Sequence, residues 1–137
     1  SYSSTTIQDS GFLYVNETNS RLGIRQATAT STLHIAGSIA VAVETLTTTG
    51  TTLNVLDCVN LASDTATHIL PDATTCAGRI YFIKSTGSGK TVTIATTGGQ
   101  NIDGSATSRT ITTQYKALVV VSDGANWYIL SEFDGTF

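Results

Sequence analysis

The residue usage of this chain favours β-strands and argues against helices longer than a turn or two. Thr supplies about a fifth of the 137 residues, and Val and Ile are abundant; these β-branched side chains suit a pleated sheet. Apolar residues do not recur at helical spacing, whereas turn residues punctuate the sequence every ~8 to 12 residues. With 40% hydrophobic and 12% charged residues, the composition is that of a folded domain. We therefore expect an all-β fold.

Two strands are predicted in the middle of the chain. Residues Thr91–Ala95 alternate, so that Val92 and Ile94 share one face and the Thr side chains occupy the other. Residues Arg79–Lys84 form the second predicted strand. Because Thr86–Gly89 has the composition of a hairpin loop, we expect a hairpin turn there.

The region before the C-terminus predicts a second hairpin. Ala117–Val121 is apolar on both faces, so it is either a central strand covered on both sides or a strand that faces a partner subunit. Asp123–Gly124 fits a tight type I′ turn into Asn126–Leu130. Trp127 and Tyr128 are adjacent on that strand and must point in opposite directions, so at most one of them lies in the core.

The first forty residues differ in composition from the rest of the chain. Their apolar residues are sparse and fall in three short clusters that a monomer would struggle to bury: Phe12–Val15, Leu22–Ile24 and Leu33–Ile35. We predict an extended β fibre and trimerisation segment at residues 1–45. Residues 46–137 are predicted to form a compact antiparallel β-sandwich or barrel-like module of roughly eight strands.

A parallel homotrimer would cover the three short apolar clusters of the first forty residues and the strand Ala117–Val121, which is apolar on both faces. It would also protect exposed strand edges. The residues that this argument assigns to the trimer interface are Leu33, Ile35, Leu118, Val119, Val120 and Val121.

Charge and hydropathy exclude two classes of partner. The net charge is -3 and the seven Lys and Arg residues are scattered, so we expect no nucleic-acid binding. The longest apolar stretch, Ala117–Val121, is far shorter than the ~20 residues of a membrane helix, and the first residues lack a signal-peptide pattern. We expect no membrane insertion.

No motif predicts catalysis or a cofactor. Thr86–Thr91 ends in Gly-Lys-Thr like a phosphate-binding loop, but Lys84 stands where the first Gly should be, and a strand follows instead of a helix. There is no GxSxG elbow, and the acidic residues occur singly in turns. We therefore expect no enzyme, although a trimer could build a depolymerase groove from different subunits.

The metal-ligating residues leave alternatives open. Cys58 and Cys76 are too far apart for a CxxC motif and are expected to be free thiols, with a disulfide as the alternative. His34 is expected to be solvated or packed near a trimer axis, where three copies could hold a metal ion. His68 is expected to be exposed, and no metal site is assigned.

Aromatic side chains are the candidates for contact with a host glycan, because rings stack on sugar faces and Tyr also forms hydrogen bonds. The aromatic residues assigned to this role are Tyr81, Tyr115, Trp127 and Tyr128. Phe82 is a further aromatic candidate.

Two regions of the chain resemble bacteriophage tail-fibre and related trimeric virion proteins. The sequences Leu13–Ile24 and Ser31–Ile39 resemble the family pattern (L)YVD…NRVGIGT…PS..TLHVNG.I, with Arg25–Thr30 in place of its Gly-Thr and Pro. The second half resembles a β module common in phage fibre proteins. Its landmarks, in chain order, are Ile69–Ala73, Gly78–Lys84, Thr91–Ile94, Asn101–Gly104 and Ser122–Ile129.

The resemblance implies a homotrimeric, non-enzymatic part of a virion, assembled in the bacterial cytoplasm and projecting from the tail or head as a fibre, spike or capsid decoration. Its implied partners are further copies of itself, other virion proteins and a host-surface glycan. A stand-alone carbohydrate-binding module without enzymatic activity is the alternative function.

Overall fold

The computed structural model describes residues 11–133, so the ends of both predicted segments, residues 1–10 and 134–137, lie outside the described residues. Eleven strands are present there, and the sole helical element of this range is a 3-10 turn at Ala73–Thr75. The chain divides into two compact units, Ser1–Ala40 and Val41–Phe137.

The first unit contains a small three-stranded sheet rather than a continuous extended segment. Its strands are β1 (Leu13–Asn16), β2 (Arg21–Ile24) and β3 (Leu33–Ile35). Strand β2 pairs antiparallel with β1 and parallel with β3. Phe12 and Leu33 remain 59% and 53% exposed, so this unit leaves much of its apolar surface uncovered.

The departure from the family pattern after β2 is accommodated by the backbone. Arg25 stands where the pattern has Gly, and its φ of 57° is in the left-handed region that Gly enters most readily. Its amide is bonded to the carbonyl of Phe12. The chain therefore makes the turn with a non-Gly residue.

The second unit contains eight strands in two sheets. The strands are β4 (Val43–Leu46), β5 (Val59–Ala62), β6 (Ala66–Ile69), β7 (Ile80–Ser85), β8 (Val92–Ala95), β9 (Ser108–Ile111), β10 (Ala117–Ser122) and β11 (Trp127–Phe133). A five-stranded sheet has the order β11-β10-β7-β5-β4, and a three-stranded sheet has the order β6-β8-β9. Strand β4 belongs here because it pairs with β5, so the predicted segment end at residue 45 falls within this strand.

All three sheets are mixed, which corrects the predicted antiparallel arrangement. In the second unit β4, β5 and β7 are mutually parallel, and so are β6 and β8. The reason is the path of the chain: β5 and β7 lie in one sheet, whereas β6 and β8 lie in the other. Because the chain crosses to the second sheet and returns, successive strands of one sheet run in the same direction.

The predicted hairpin turn at Thr86–Gly89 is also corrected. Strands β7 and β8 belong to different sheets, so the segment between them is a crossing rather than a hairpin loop. A Cβ atom on Gly87 would collide with the backbone carbonyl of Ser63. The turn-like composition of this segment therefore reflects a close approach between two backbones.

The hairpin of β10 and β11 is present, with a connection of four residues instead of two. Ser122 pairs with Trp127, and the Asp123 carboxylate accepts hydrogen bonds from the amides of Ala125 and Asn126 at 2.8 and 2.7 Å. Gly124 has a φ of 94°. The two accepted amides hold the pKa of Asp123 below its usual value.

The core of the second unit is built from the inward faces of both sheets. Trp127 and Tyr81 are its two largest side chains, with ring centroids 5.7 Å apart. Leu118 and Val120 of β10 also belong to this core. Trp127 is fully buried and Tyr128 is exposed, as the strand alternation predicts.

Several polar groups lie inside this apolar core without a partner. Asn60, His68 and Ser85 are fully buried, and their side-chain nitrogen and oxygen atoms accept or donate no hydrogen bond within the described residues. The expectation that His68 is exposed is therefore wrong. Alternation along β6 explains its position, because Ala66 and His68 point inward while Thr67 points outward.

We expect burial of His68 to make the unit sensitive to mild acid. Desolvation holds the pKa of this imidazole below its usual 6.5, so the folded state favours the neutral ring. Above pH 6.5 the imidazole is neutral in both the folded and the unfolded state, and the unit has its full stability. As the pH falls from 6.5 through the folded-state pKa, the unfolded state binds the proton more readily, and stability is lost. Denaturant titrations across this range should show the midpoint falling with pH.

A matched variant isolates this effect. His68→Gln keeps a polar group but cannot titrate, so its denaturation midpoint should be nearly flat over the same pH range. Three carboxylates also have lowered pKa values: Asp64, Asp72 and Asp123. They change the stability only at pH values below 3.8, the usual pKa of an Asp side chain. An equal pH dependence in both proteins would show that His68 is not its source.

Candidate functional site

The outward side of the five-stranded sheet carries an apolar surface in the second unit. We call it the outer face. The register aligns Val59, Phe82 and Val119 in one row across three strands, and Leu61 and Ala117 flank Lys84 in the next. Phe82 is 45% exposed, and the other apolar members of these rows are half-buried.

The outer face has a shallow apolar depression at its centre. The depression has a volume of about 250 Å³ and is lined by Val59, Leu61, Phe82, Ile83, Lys84, Ala117 and Val119. The row beyond it carries Ile80, Val121 and Tyr128. A continuous apolar patch on the central strands of a sheet is typical of a surface that meets another protein.

Lys84 carries the one charge in the central rows of the outer face. Its ammonium group donates a hydrogen bond to the Tyr115 carbonyl at 2.9 Å and lies 5.9 Å from the centroid of the Tyr115 ring. The Tyr115 carbonyl dipole and aromatic ring thus offset part of the charge of this amine.

The predicted interface residues separate into two groups in the structure. Val119 and Val121 lie on the outer face, half-buried, whereas Leu118 and Val120 lie in the core of their own unit. Because neighbouring strand residues point to opposite faces, only the first pair can meet a partner without unfolding, and the assignment of Leu118 and Val120 to an interface is corrected.

The two other predicted interface residues, Leu33 and Ile35, lie on β3 of the first unit. Leu33 is exposed and Ile35 is half-buried.

The candidate glycan contacts separate in the same way. Tyr81 and Trp127 are fully buried in the core and present no surface to a ligand, which corrects their assignment. Tyr115 and Tyr128 are 51% and 42% exposed. Tyr115 also has a φ of 66°, an unfavourable backbone conformation for a bulky residue.

The segment resembling a phosphate-binding loop has an ordinary structural role. Lys90 forms an ion pair with Asp64 at 3.0 Å, and this contact is the main reason that the pKa of the Asp64 carboxyl lies below its usual value. The amide of Thr91 donates to the Thr65 hydroxyl at 3.2 Å. The polar groups of this segment are thus engaged with the link between β5 and β6.

The metal-ligating residues do not assemble into a cluster within residues 11–133. No group of three or more His, Cys, Asp or Glu side chains there could hold a metal ion. The Nδ1 atom of His34 lies 3.2 Å from the Thr30 hydroxyl. Cys58 and Cys76 are both free thiols, as the spacing of the two cysteines predicts. In the same range no helix is long and apolar enough to cross a membrane.

Sequence reasoning assigned Val59 and Leu61 to no surface, and it considered Phe82 only as a candidate for glycan contact, not as part of an interface. A signal was available in Ile80–Ile83, where four apolar residues in succession place apolar side chains on both faces of the strand. The pairing of β5 with β7 could not be found from local pattern, because it joins strands separated by a crossing to the other sheet.

Comparison with known proteins adds no family assignment. No protein-family model matches the chain, and no curated protein matches it.

Proposed function

We propose that this chain is a non-enzymatic structural subunit of a bacteriophage virion that assembles as a parallel homotrimer through the outer face. In this function it forms part of a fibre, spike or capsid decoration, together with other virion proteins, and contributes to attachment to the host surface. The observation that carries the proposal is the apolar outer face, with Val119 and Phe82 at its centre.

The chemistry of the outer face supports a second copy of the chain as its partner. Identical faces can pack only if like charges do not meet, and the ammonium group of Lys84 already donates a hydrogen bond to the Tyr115 carbonyl. Burial of apolar area would then stabilise the assembly with little electrostatic cost. A closed threefold arrangement turns three such faces toward one axis and leaves none exposed.

The resemblance of the chain to phage fibre proteins supports the biological setting. The motif spanning Leu13–Ile24 and the landmarks of the second half occur in one chain and in the family order. Residues 13–35 form a small sheet that leaves Phe12, Val15 and Leu33 exposed, and neighbouring copies around an axis would cover them. Location in the virion follows from this proposal.

Absolute mass by light scattering after size exclusion, over a dilution series and at two salt concentrations, tests the proposal. We expect a species of three chains that resists salt, because apolar burial rather than ion pairing holds it together. A folded monomer that persists at the highest concentration would contradict it.

Carbohydrate binding is the second candidate function, and the strained, exposed Tyr115 favours it. The Tyr115 ring lies beside the Lys84 ammonium group, which offers a stacking surface next to a hydrogen-bond donor. Tyr115→Ala should then abolish binding on a glycan array, whereas Thr67→Ala on the other sheet should not. Equal glycan signals from both variants would exclude this role for Tyr115.

A further inference from the structure

Another depression of the second unit lies beside the start of β7. It is open, has a volume of about 540 Å³, and its lining includes Val55, Thr75, Gly78, Arg79 and Ile80. Arg79 is the only charged residue of this lining, which falls wholly within the described part of the chain. A concave surface of this size that combines apolar side chains with a few polar groups is typical of a site for a small molecule.

The guanidinium group of Arg79 has no partner for its N–H donors within residues 11–133. Arg79 is half-buried, and in this range its side chain forms no hydrogen bond and no ion pair. The ion pairs of the same range belong to Lys90 and Arg109 instead. A half-buried guanidinium without a partner loses hydration without compensation. The ligand that matches it is an oxyanion, which accepts two parallel N–H bonds.

The position of Arg79 is fixed by its backbone, and its charge acts on the wall of the depression. Its amide donates a hydrogen bond to the Cys76 carbonyl at 2.9 Å, and its carbonyl accepts one from the Ser122 amide at 3.0 Å. Burial raises the pKa of the Cys76 thiol and of the Tyr81 hydroxyl, and the positive charge of Arg79 opposes both rises. The charge is therefore felt by buried groups beside the depression.

The neighbouring carboxylates do not pair with Arg79. Asp72, which caps the 3-10 turn, accepts hydrogen bonds from the Thr74 hydroxyl at 2.7 Å and from the Gln100 side-chain amide at 2.6 Å. Asp57 is buried and lies outside the lining. An anion that enters the depression therefore meets one positive charge, which a single carboxylate group would neutralise.

We propose that this depression binds the carboxylate group of an acidic sugar, with the Arg79 guanidinium as its anchor. The choice of a sugar rests on the proposed attachment to the host surface, whereas the choice of a carboxylate rests on the charge of the lining. A phosphate group carries further negative charge, which a single guanidinium would leave unmatched.

The rest of the lining suits a sugar ring. Val55 and Ile80 offer apolar contact to the C–H groups of the ring. The Thr75 hydroxyl donates its hydrogen to the Asp72 carbonyl at 2.7 Å, so its lone pairs remain for a sugar hydroxyl. The depression thus provides an anchor for the charge, an apolar contact and a hydrogen-bond acceptor.

This site is separate from Tyr115, the other candidate for glycan contact. Arg79 directly precedes β7, whereas the Tyr115 amide donates a hydrogen bond to the carbonyl of Ser85, the last residue of that strand. The two candidates therefore lie at opposite ends of β7, and each can be tested with the other in place.

Titration of the native full chain with sodium glucuronate tests the proposal, followed by NMR of isotope-labelled protein in a buffer free of carboxylates and phosphate. We expect saturable shifts of the backbone amides at residues 77–80 and of the Arg79 Nε–H signal. Glucose shares the ring but lacks the carboxylate, and it should leave these signals in place. Inorganic phosphate should bind more weakly than glucuronate.

Substitutions of Arg79 separate the charge from the geometry of the anchor. Arg79→Gln should weaken glucuronate binding by about ten- to a hundredfold, because it removes charge-assisted hydrogen bonds. Arg79→Lys keeps the charge but not the planar fork, so its affinity should be intermediate. Lys90→Gln is the matched control: it removes the same charge from the exposed ion pair with Asp64 and should bind as the wild type does. Circular dichroism checks that every variant keeps the strand signal.

The inference is wrong if glucose shifts the same signals as strongly, or if residues 77–80 do not respond to glucuronate. It is also wrong if inorganic phosphate binds more tightly, or if Arg79→Gln binds as well as Lys90→Gln. Each of these results can be obtained on a protein whose light-scattering mass is that of three chains, so failure of this site is distinguishable from failure of the trimer. A monomer that binds glucuronate through Arg79 would keep the site and remove the trimer.

Discussion

Val119→Asp is expected to convert the proposed trimer into folded monomers. Val119 lies at the centre of the outer face, in register with Phe82 of β7 and Ser131 of β11. Three copies of an unpaired carboxylate would enter an apolar interface, and each would cost several kcal/mol through lost hydration. Since about 1.4 kcal/mol corresponds to a tenfold change in affinity, the dissociation constant should rise at least about a thousandfold.

Light scattering gives the mass of this variant, and circular dichroism checks its fold. The side chain at position 119 points away from the core, so the strand signal should be preserved. Thr67→Asp is the matched control, because Thr67 is an exposed strand residue on the outward side of the three-stranded sheet. A Val119→Asp protein that stays trimeric on dilution would remove the outer face from the assembly.

The local features of the fold could be predicted from sequence because they depend on neighbouring residues. Alternation in Trp127–Tyr128 determines which ring enters the core, and Asp123–Gly124 marks the reversal between β10 and β11. These are properties of a few consecutive residues and of the strand period. The second unit has eight strands in the described residues, and one of them, β4, begins within the segment predicted to be extended.

The parallel pairings could not be predicted, because they depend on where the chain goes after each strand. Turn residues at Thr86–Gly89 show that the chain changes direction, but the same composition suits a hairpin and a crossing between sheets. Local sequence is also insufficient for β10. Its apolar residues on both faces predict that both faces are covered, but they do not show which face packs against the core of its own unit.

The candidate site shows the same division between local and long-range information. Tyr81 and Tyr115 are both aromatic residues in a predominantly β sequence, and no local pattern separates the buried one from the exposed one. Tyr81 is buried because its strand pairs on both sides and its inward face meets Trp127. His68 is buried for a related reason, since β6 faces the larger sheet.

Trp127→Ala is expected to cause the largest loss of stability of any single substitution in the second unit. Trp127 is the largest fully buried side chain, and its ring packs at 42° against Tyr81. Truncation of a buried Trp costs about 3 to 5 kcal/mol, from lost apolar burial and the cavity that remains. The indole nitrogen has no hydrogen-bond partner within residues 11–133, so the loss comes from packing alone.

Guanidinium denaturation in the Val119→Asp background measures this effect without a contribution from subunit dissociation. Tyr128→Ala is the control, since the adjacent ring points outward and is 42% exposed in a monomer, so its loss should cost much less, about 1 kcal/mol. The contrast between two neighbouring aromatic residues tests the core directly. If both truncations shifted the midpoint equally, the assignment of Trp127 to the inward face of β11 would fail, and with it the orientation of the outer face.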